Sequence, residues 1–400
     1  MLKMQSRFHY IDNLRSLALL LGVVFHASLA YGPYFHNIWF TSDPTKHVVF
    51  DYIAMWSHLF RMPLFFVIAG FCAALLIAKQ EGNGFIKNRL KRVLLPFVIF
   101  FPVTVLLIFH AMSWGATIAD PLPPLFSVFK EVREPVISTM HLWFLWNLIQ
   151  FCTILWLLTK WQSAYRYLLA VVVKPVFICI FLPTVITISM FNQMVPFPAP
   201  DKLYPQIWSY GLYGTLFLVG AGFYHYHERL AAYVKQFYMV FLIACVSLVA
   251  YFYVLPAPLS LTQVIDAANA GGEIIVDNEL LTVLIQSIAI ISWSALALLA
   301  GYKWLNTHIT TSRYFSDASY WAYLIHVPVL MYIQLPLINF ALPAFLKLCI
   351  AVFGTMLLGL VSYHFLVRNT PIGQLLNGKK SNARLGASSQ TDSPEAIEKP

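Results

Sequence analysis

Arg15 and His26 lie in one apolar segment, Leu14-Arg-Ser-Leu-Ala-Leu-Leu-Leu-Gly-Val-Val-Phe-His26. Eleven positions separate them, which at about 100° per residue returns to nearly the same helix face. At about 1.5 Å per residue they are roughly 16 Å apart, half the hydrocarbon thickness of a bilayer. An ionisable side chain at membrane depth costs at least about 2.5 kcal/mol, so it faces a protein interior, a cavity or a pathway. Histidine is the usual general base near neutral pH. The arginine fork suits carboxylate and phosphate. This spacing points to proton transfer and anion binding along one internal helix face.

Five further constellations carry similar chemistry. Asp12 stands three residues before Arg15, an i,i+3 pair at the same helix mouth. His58 and Arg61, in Ser57-His-Leu-Phe-Arg61, read either as interfacial anchors or as a cationic wall for an anionic group. His141 opens His141-Leu-Trp-Phe-Leu145 beside Trp143 and Trp146, which resemble an aromatic belt. Ser319, Tyr323 and His326 follow i, i+4, i+7 and share a face of a late helix, as a polar seam or a reactive one. Lys87-Asn-Arg89-Leu-Lys91-Arg92 is the densest basic cluster, suited to anionic lipid or to a phosphate. No zinc-type spacing, P-loop or nucleophile elbow stands in a credible context, and His225 and His227 fall at a helix end. No metal and no bound cofactor are expected.

These residues need a scaffold that fits lipid. Of 400 residues 59% are hydrophobic and 11% charged, against about 25% charged in a soluble domain. Mean hydropathy is +0.70. Apolar runs of 18 residues or more favour helices over a barrel, whose segments alternate over about ten. The expected fold is an all-α polytopic membrane protein. About ten spans are expected, near 14–32, 58–78, 93–112, 141–159, 168–190, 207–225, 237–255, 280–301, 318–337 and 344–366. Of 26 Lys and Arg, six (Lys46, Arg61, Lys130, Arg133, Lys202 and Lys347) fall outside when both termini are cytoplasmic, and the other twenty fall inside. The charge of +9 is therefore read as topology and not as nucleic-acid binding. The five cysteines lie within apolar runs with no CxxC pair and read as buried hydrophobes. The transmembrane domain is expected over 8–370, followed by a disordered cytoplasmic tail at 378–400. The longest loops, near 33–57, 113–140 and 256–279, are expected outside, as a lid or re-entrant pieces.

Taken in order, these motifs resemble the acyltransferase 3 family of integral-membrane O-acyltransferases. The resemblance rests on Asp12, Arg15 and His26 in the first helix and on Phe65-Phe-Val-Ile-Ala-Gly70-Phe71. It continues through Arg89-Leu-Lys-Arg92-Val-Leu-Leu-Pro96, His141-Leu-Trp-Phe-Leu145 and Tyr323-Leu-Ile-His326. Two departures stand out. Ala69 replaces a frequent Ser, and one extra residue precedes Pro96. Within the family, Tyr10-Ile-Asp-Asn-Leu-Arg15, His26-Ala-Ser-Leu-Ala-Tyr31 and Phe60-Arg-Met-Pro-Leu-Phe-Phe66 are similar to the glucan biosynthesis protein C branch.

The resemblance implies an enzyme of the bacterial inner membrane. It would move a succinyl or acetyl group from cytoplasmic acyl-CoA, its co-substrate, to a hydroxyl of a periplasmic or cell-envelope glycan. His26 and His326 would be catalytic. Asp12, Arg15, Arg89 and Arg92 would bind the donor. Arg61, His58, His141, Tyr323 and Ser319 would contact the acceptor or acyl group. The lipid bilayer is the other expected partner. The rival reading is a multi-pass transporter or flippase of an anionic or acylated substrate. It calls for internal repeats and broken helices in matching halves, which the sequence lacks.

Overall fold

The computed structural model describes residues 8–80, 83–132, 138–271, 279–307 and 310–378. Among them the regular elements are helices, with no strand. In chain order the main helices are α1 (His9–Ser28), α2 (Val48–Lys79), α3 (Gly84–Ile118), α4 (Met140–Leu158), α5 (Gln162–Val172), α6 (Phe177–Met190), α7 (207–225), α8 (His227–Tyr253), α9 (Leu280–Trp304), α10 (Thr310–Leu337) and α11 (Ala344–Val367). Among the described residues eight are long and apolar enough to cross a bilayer, and the α5–α6 pair is a ninth candidate. The protein is an all-α, multi-pass membrane protein. The expected tail at 378–400 lies outside the described residues from 379 on, as do the 133–137 part of the second loop and the 272–278 part of the third.

The differences from the expected spans have local causes. The segment expected at 168–190 is broken by a 74° bend between α5 and α6. Pro175 sits at the break, and a proline disfavours helical geometry in the residue before it. Segment 207–225 is helical but falls below the apolarity of the other spans. Its tyrosines and glycines meet protein, not lipid. Tyr213 is fully buried, and Gly70 and Gly220 let α2 and α7 cross with their backbones in contact. A Cβ on Gly70 would strike the Phe217 carbonyl, and one on Gly220 the Val67 carbonyl. Small residues at such crossings are the usual device of membrane bundles. The Gly70 motif is thus explained by packing.

α1 and α2 form the centre. α1 packs on α2, α9, α10 and α11, and α2 also packs on α7 and α9. In α2, 67% of the most apolar window is buried, against 22% in α8 and 28% in α3. The outer helices instead present Leu106, Phe109, Leu242, Val249 and Phe353 outward. Apolar side chains on the outside, with charges gathered within, are what lipid selects.

The run before Pro96 contains a π turn at Leu90–Leu94. Such a turn holds one residue more than an α turn. Pro96 cannot donate to the Arg92 carbonyl. The Tyr320 hydroxyl of α10 donates there instead, at 2.8 Å.

Loop 29–47 folds back over the end of α1 where His26 lies. Both of its legs are tied to carboxylates. Asp51 accepts the Tyr34 N–H at 3.1 Å. Asp43 pairs with Lys347 of α11 at 2.7 Å, both side chains 1% exposed. Between them, Thr41 donates to Gln334 and Gln334 donates to the Ala27 carbonyl.

Candidate active site

Four histidines from four helices meet in one place. His26 comes from α1, His58 from α2, His141 from the start of α4 and His326 from α10. Together with Arg61 and Tyr323 they line a cavity of about 570 Å³. The His26 and His326 ring centroids are 5.1 Å apart, as are those of His141 and His326. Helix ends and loops close the space. Tyr34, Phe35 and Trp39 come from loop 29–47, 194–199 from the α6–α7 connection, and Pro256, Leu259 and Gln263 from the segment after α8. Of the three longest loops expected from the sequence, the first and third reach the cavity, through residues 34–39 and 256–263.

Backbone carbonyls fix three of the four tautomers. His326 Nδ1–H donates to the Tyr323 carbonyl at 2.7 Å, leaving Nε2 as the lone pair. His141 Nε2–H donates to the Leu324 carbonyl at 3.0 Å and His58 Nε2–H to the Phe197 carbonyl at 2.9 Å. Their Nδ1 lone pairs are buried with no hydrogen-bond partner among the described residues, and so is His26 Nδ1. His326 thus presents a basic nitrogen with the orienting bond that a general base needs. His26 has no such bond and is held by stacking on Trp39, with centroids 5.4 Å apart.

Arg61 is 5% exposed, and its guanidinium lies 4.3 Å above the Phe25 ring. Gly22 leaves the room it occupies, since a Cβ there would come within 3.2 Å of Nη1. Arg61 Nε is buried with no hydrogen-bond partner, and no carboxylate lines the cavity among the described residues. A desolvated guanidinium of this kind is a strong site for a carboxylate or phosphate. His58 is less free than the sequence suggested. Its ring is sandwiched between Phe25 and Phe197, 5.2 and 4.2 Å away, so it stiffens the wall that carries Arg61.

A second cavity of about 280 Å³ abuts the first and shares Leu19, Met62, Phe65 and Tyr323 with it. Arg15, Arg89, Arg92, Cys72 and Ser319 line it, again with no carboxylate among the described residues. Arg92 also donates to the Asn377 carbonyl at the end of the Pro371–Asn377 helix, at 3.2 Å. The two spaces follow one face of α1 from Arg15 to His26, as the eleven-residue spacing predicts.

Two of the expected site residues lie away from the histidines. Ser319 lies in the arginine cavity and not beside His326, and its hydroxyl donates to the Ser316 carbonyl at 2.7 Å. Seven residues of helix are roughly 10 Å of rise, enough to put the two ends of one face into different cavities. Asp12 lines neither cavity. It sits in the first turn of α1, while Arg15 turns inward. Trp39, Phe25 and Phe197 frame the histidines, and no motif marked them. Trp39 is one aromatic among many in a loop, and Phe197 reaches His58 only through the fold.

A family model described as an acyltransferase domain matches residues 8–364. Glucans biosynthesis protein C of Escherichia coli (strain SMS-3-5 / SECEC) is 28% identical over 151 residues, covering 37% of this chain and 38% of the relative. The protein of the same name from Shigella dysenteriae serotype 1 (strain Sd197) is 30% identical over 152 residues, with the same shares covered. The chain therefore spans well under half the length of these curated relatives. No solved structure matches the chain.

Proposed function

The chain belongs to the acyltransferase domain family, and from that premise we propose that it carries an acyl group from a cytoplasmic acyl-CoA to a hydroxyl of a cell-envelope glycan. Its place would be the bacterial inner membrane, with both termini in the cytoplasm. The observation that carries this reading is the pair of abutting cavities, one with three arginines and the other with four histidines.

The arginine cavity suits the donor. Arg15, Arg89 and Arg92 would hold the phosphates of the CoA end, and the thioester arm would pass Leu19, Met62, Phe65 and Tyr323 into the histidine cavity. There a histidine nitrogen, His326 Nε2 or His26, takes the proton of the acceptor hydroxyl. The oxygen attacks the thioester carbonyl and a C–O bond forms. The C–S bond breaks, and the proton passes from the imidazolium to the departing thiolate. Holding both reactants in one enclosed space removes much of the entropic barrier. Arg61 would pair with the carboxylate of a succinyl group. An acetyl group offers it no partner.

The acceptor glycan would approach from the side closed by Tyr34, Trp39 and Gln263, where aromatic faces can stack on sugar rings. The test is donor kinetics in nanodiscs, with CoA thiol release followed from succinyl-CoA and acetyl-CoA in the presence of a glucan extract. Arg15→Gln should raise donor KM by about tenfold or more, as loss of one charged phosphate contact implies. Unchanged donor KM in both Arg15→Gln and Arg89→Gln would remove the arginine cavity from donor binding.

A further inference from the structure

Met140 is the residue before His141, and its φ is +51°. It is the one non-glycine with positive φ among the described residues. Side chains avoid this left-handed region, and a residue held there persists only when its surroundings over-determine it. Here the surroundings are a polar clasp built on Asp201, in the connection between α6 and α7. The Asp201 carbonyl accepts the Thr139 N–H at 2.6 Å and the Thr139 hydroxyl at 2.8 Å. The Asp201 carboxylate accepts the Ser138 hydroxyl. That hydroxyl in turn accepts the Met140 N–H at 2.9 Å. Asn147 of α4 steadies the clasp by donating to the Pro200 carbonyl at 3.0 Å.

The consequence falls on His141. The left-handed residue turns the chain so that α4 starts with His141 in the cavity. On the far side the ring is fixed by its bond to the Leu324 carbonyl, and the Tyr323 hydroxyl donates to the His141 carbonyl at 2.7 Å. A histidine clamped from both sides, with a buried Nδ1 that has no partner among the described residues, is set for a group that those residues do not supply.

We propose that Asp201 is a positioning residue of the transfer reaction, holding Met140 left-handed so that His141 Nδ1 accepts a hydroxyl of the acceptor beside His326. This rests on the acyltransferase reading and adds to it a residue outside both cavities. A simple capping role for Asp201 would stabilise the start of α4 without regard to the conformation of Met140. The two roles separate at Met140→Gly, because glycine takes positive φ freely.

The experiment compares wild type, Asp201→Asn, Asp201→Ala, Ser138→Ala, Met140→Gly and the double variant Asp201→Ala/Met140→Gly, each in nanodiscs. Label transfer from radiolabelled acyl-CoA to glucan gives kcat and donor KM, and thermal melting reports the fold. Misplacing a reacting group by about 1 Å costs on the order of 100-fold. Asp201→Ala should therefore lose kcat on that scale with donor KM little changed, and Ser138→Ala should lose it in part. Asp201→Asn still accepts from Ser138 and should keep most of the activity. The double variant should recover at least about tenfold over Asp201→Ala. Wild-type kcat in Asp201→Ala overturns the proposal. So does a well-folded double variant no more active than Asp201→Ala. Wild-type protein that transfers no label would overturn the acyltransferase reading, and this proposal with it.

Discussion

The imidazoles of His26 and His326 lie 5.1 Å apart, although one belongs to the first helix and the other to the tenth. Their bonding differs. His326 has its tautomer set by the Tyr323 carbonyl, whereas His26 is held by ring contacts with Trp39 and Phe25. Removing the His326 base should cost about 100- to 10,000-fold in kcat, the range general-base catalysis spans. His326→Ala should show this loss with donor KM nearly unchanged, as donor-saturation kinetics would report. His326→Gln offers an amide in place of the imidazole and should not restore the rate.

On the proposed reading Arg61 pairs with the carboxylate of a succinyl group and so sets which acyl group is favoured. Truncating one partner of a buried charge pair costs about 2–5 kcal/mol. Arg61→Gln should therefore lose transfer of succinyl by at least about thirtyfold while changing acetyl transfer little. Competition between the two labelled donors in one reaction measures the ratio directly. An equal fall for both would mean that Arg61 does not read the acyl group. Melting should hold or rise in this variant, because an unpaired buried cation is lost.

The Asp43–Lys347 pair tests how loop 29–47 is held over the cavity. Breaking a buried pair from one side costs about 3–5 kcal/mol, whereas replacing both partners with apolar groups is near neutral. Lys347→Met alone should lower the melting temperature strongly, and Asp43→Leu/Lys347→Met should recover most of it. A double-mutant cycle by thermal melting reads the coupling.

Gly70 tests the crossing of α2 and α7. A side chain there meets the Phe217 backbone, which cannot rotate away. Overpacking costs about 1–3 kcal/mol where side chains can adjust, and more against backbone. Gly70→Leu should therefore reduce folded yield and melting temperature even though Leu suits lipid better. A melting temperature equal to wild type would contradict the backbone contact between Gly70 and Phe217.

His36 in loop 29–47 gives a pH dependence with a definite sign. Burial, then the Lys46 ammonium, holds it below its ordinary value of 6.5. The folded chain thus binds this proton more weakly than the unfolded chain. The stability linked to the neutral ring is complete above the unfolded value and is lost as pH falls toward the folded one. Its Nδ1 lies 2.5 Å from the Ser42 hydroxyl. Melting curves from pH about 7.5 down to about 5 should fall less steeply for His36→Gln than for wild type. Equal slopes would remove His36 as a contributor.

Much of this was legible in the sequence, for reasons that differ by residue. Membrane class follows from composition, and the shared face of Arg15 and His26 follows from helix periodicity alone. Arg15, Arg89 and Arg92 line one cavity, and their shared charge is the signal the sequence offers for it. Long-range geometry was not legible. Nothing local brings Trp39 onto His26 or sandwiches His58 between Phe25 and Phe197. Ser319 shares a helix face with His326, but a face does not say which of two stacked cavities it enters. The bend at Pro175 could be suspected from its proline, whereas the π turn before Pro96 has no local mark in the sequence. Met140 gives no sign in sequence of its left-handed backbone, because a methionine there is set by its contacts and not by preference.

The most direct test compares wild type with His26→Ala in nanodiscs, each given radiolabelled succinyl-CoA or acetyl-CoA with a periplasmic glucan extract, counting glycan-bound label. The account predicts label with wild type, more from succinyl-CoA than from acetyl-CoA, and a loss of about 100-fold or more in His26→Ala. Transfer at the wild-type rate in His26→Ala would contradict it, since the histidine at the centre of the cavity would then have no part in the reaction.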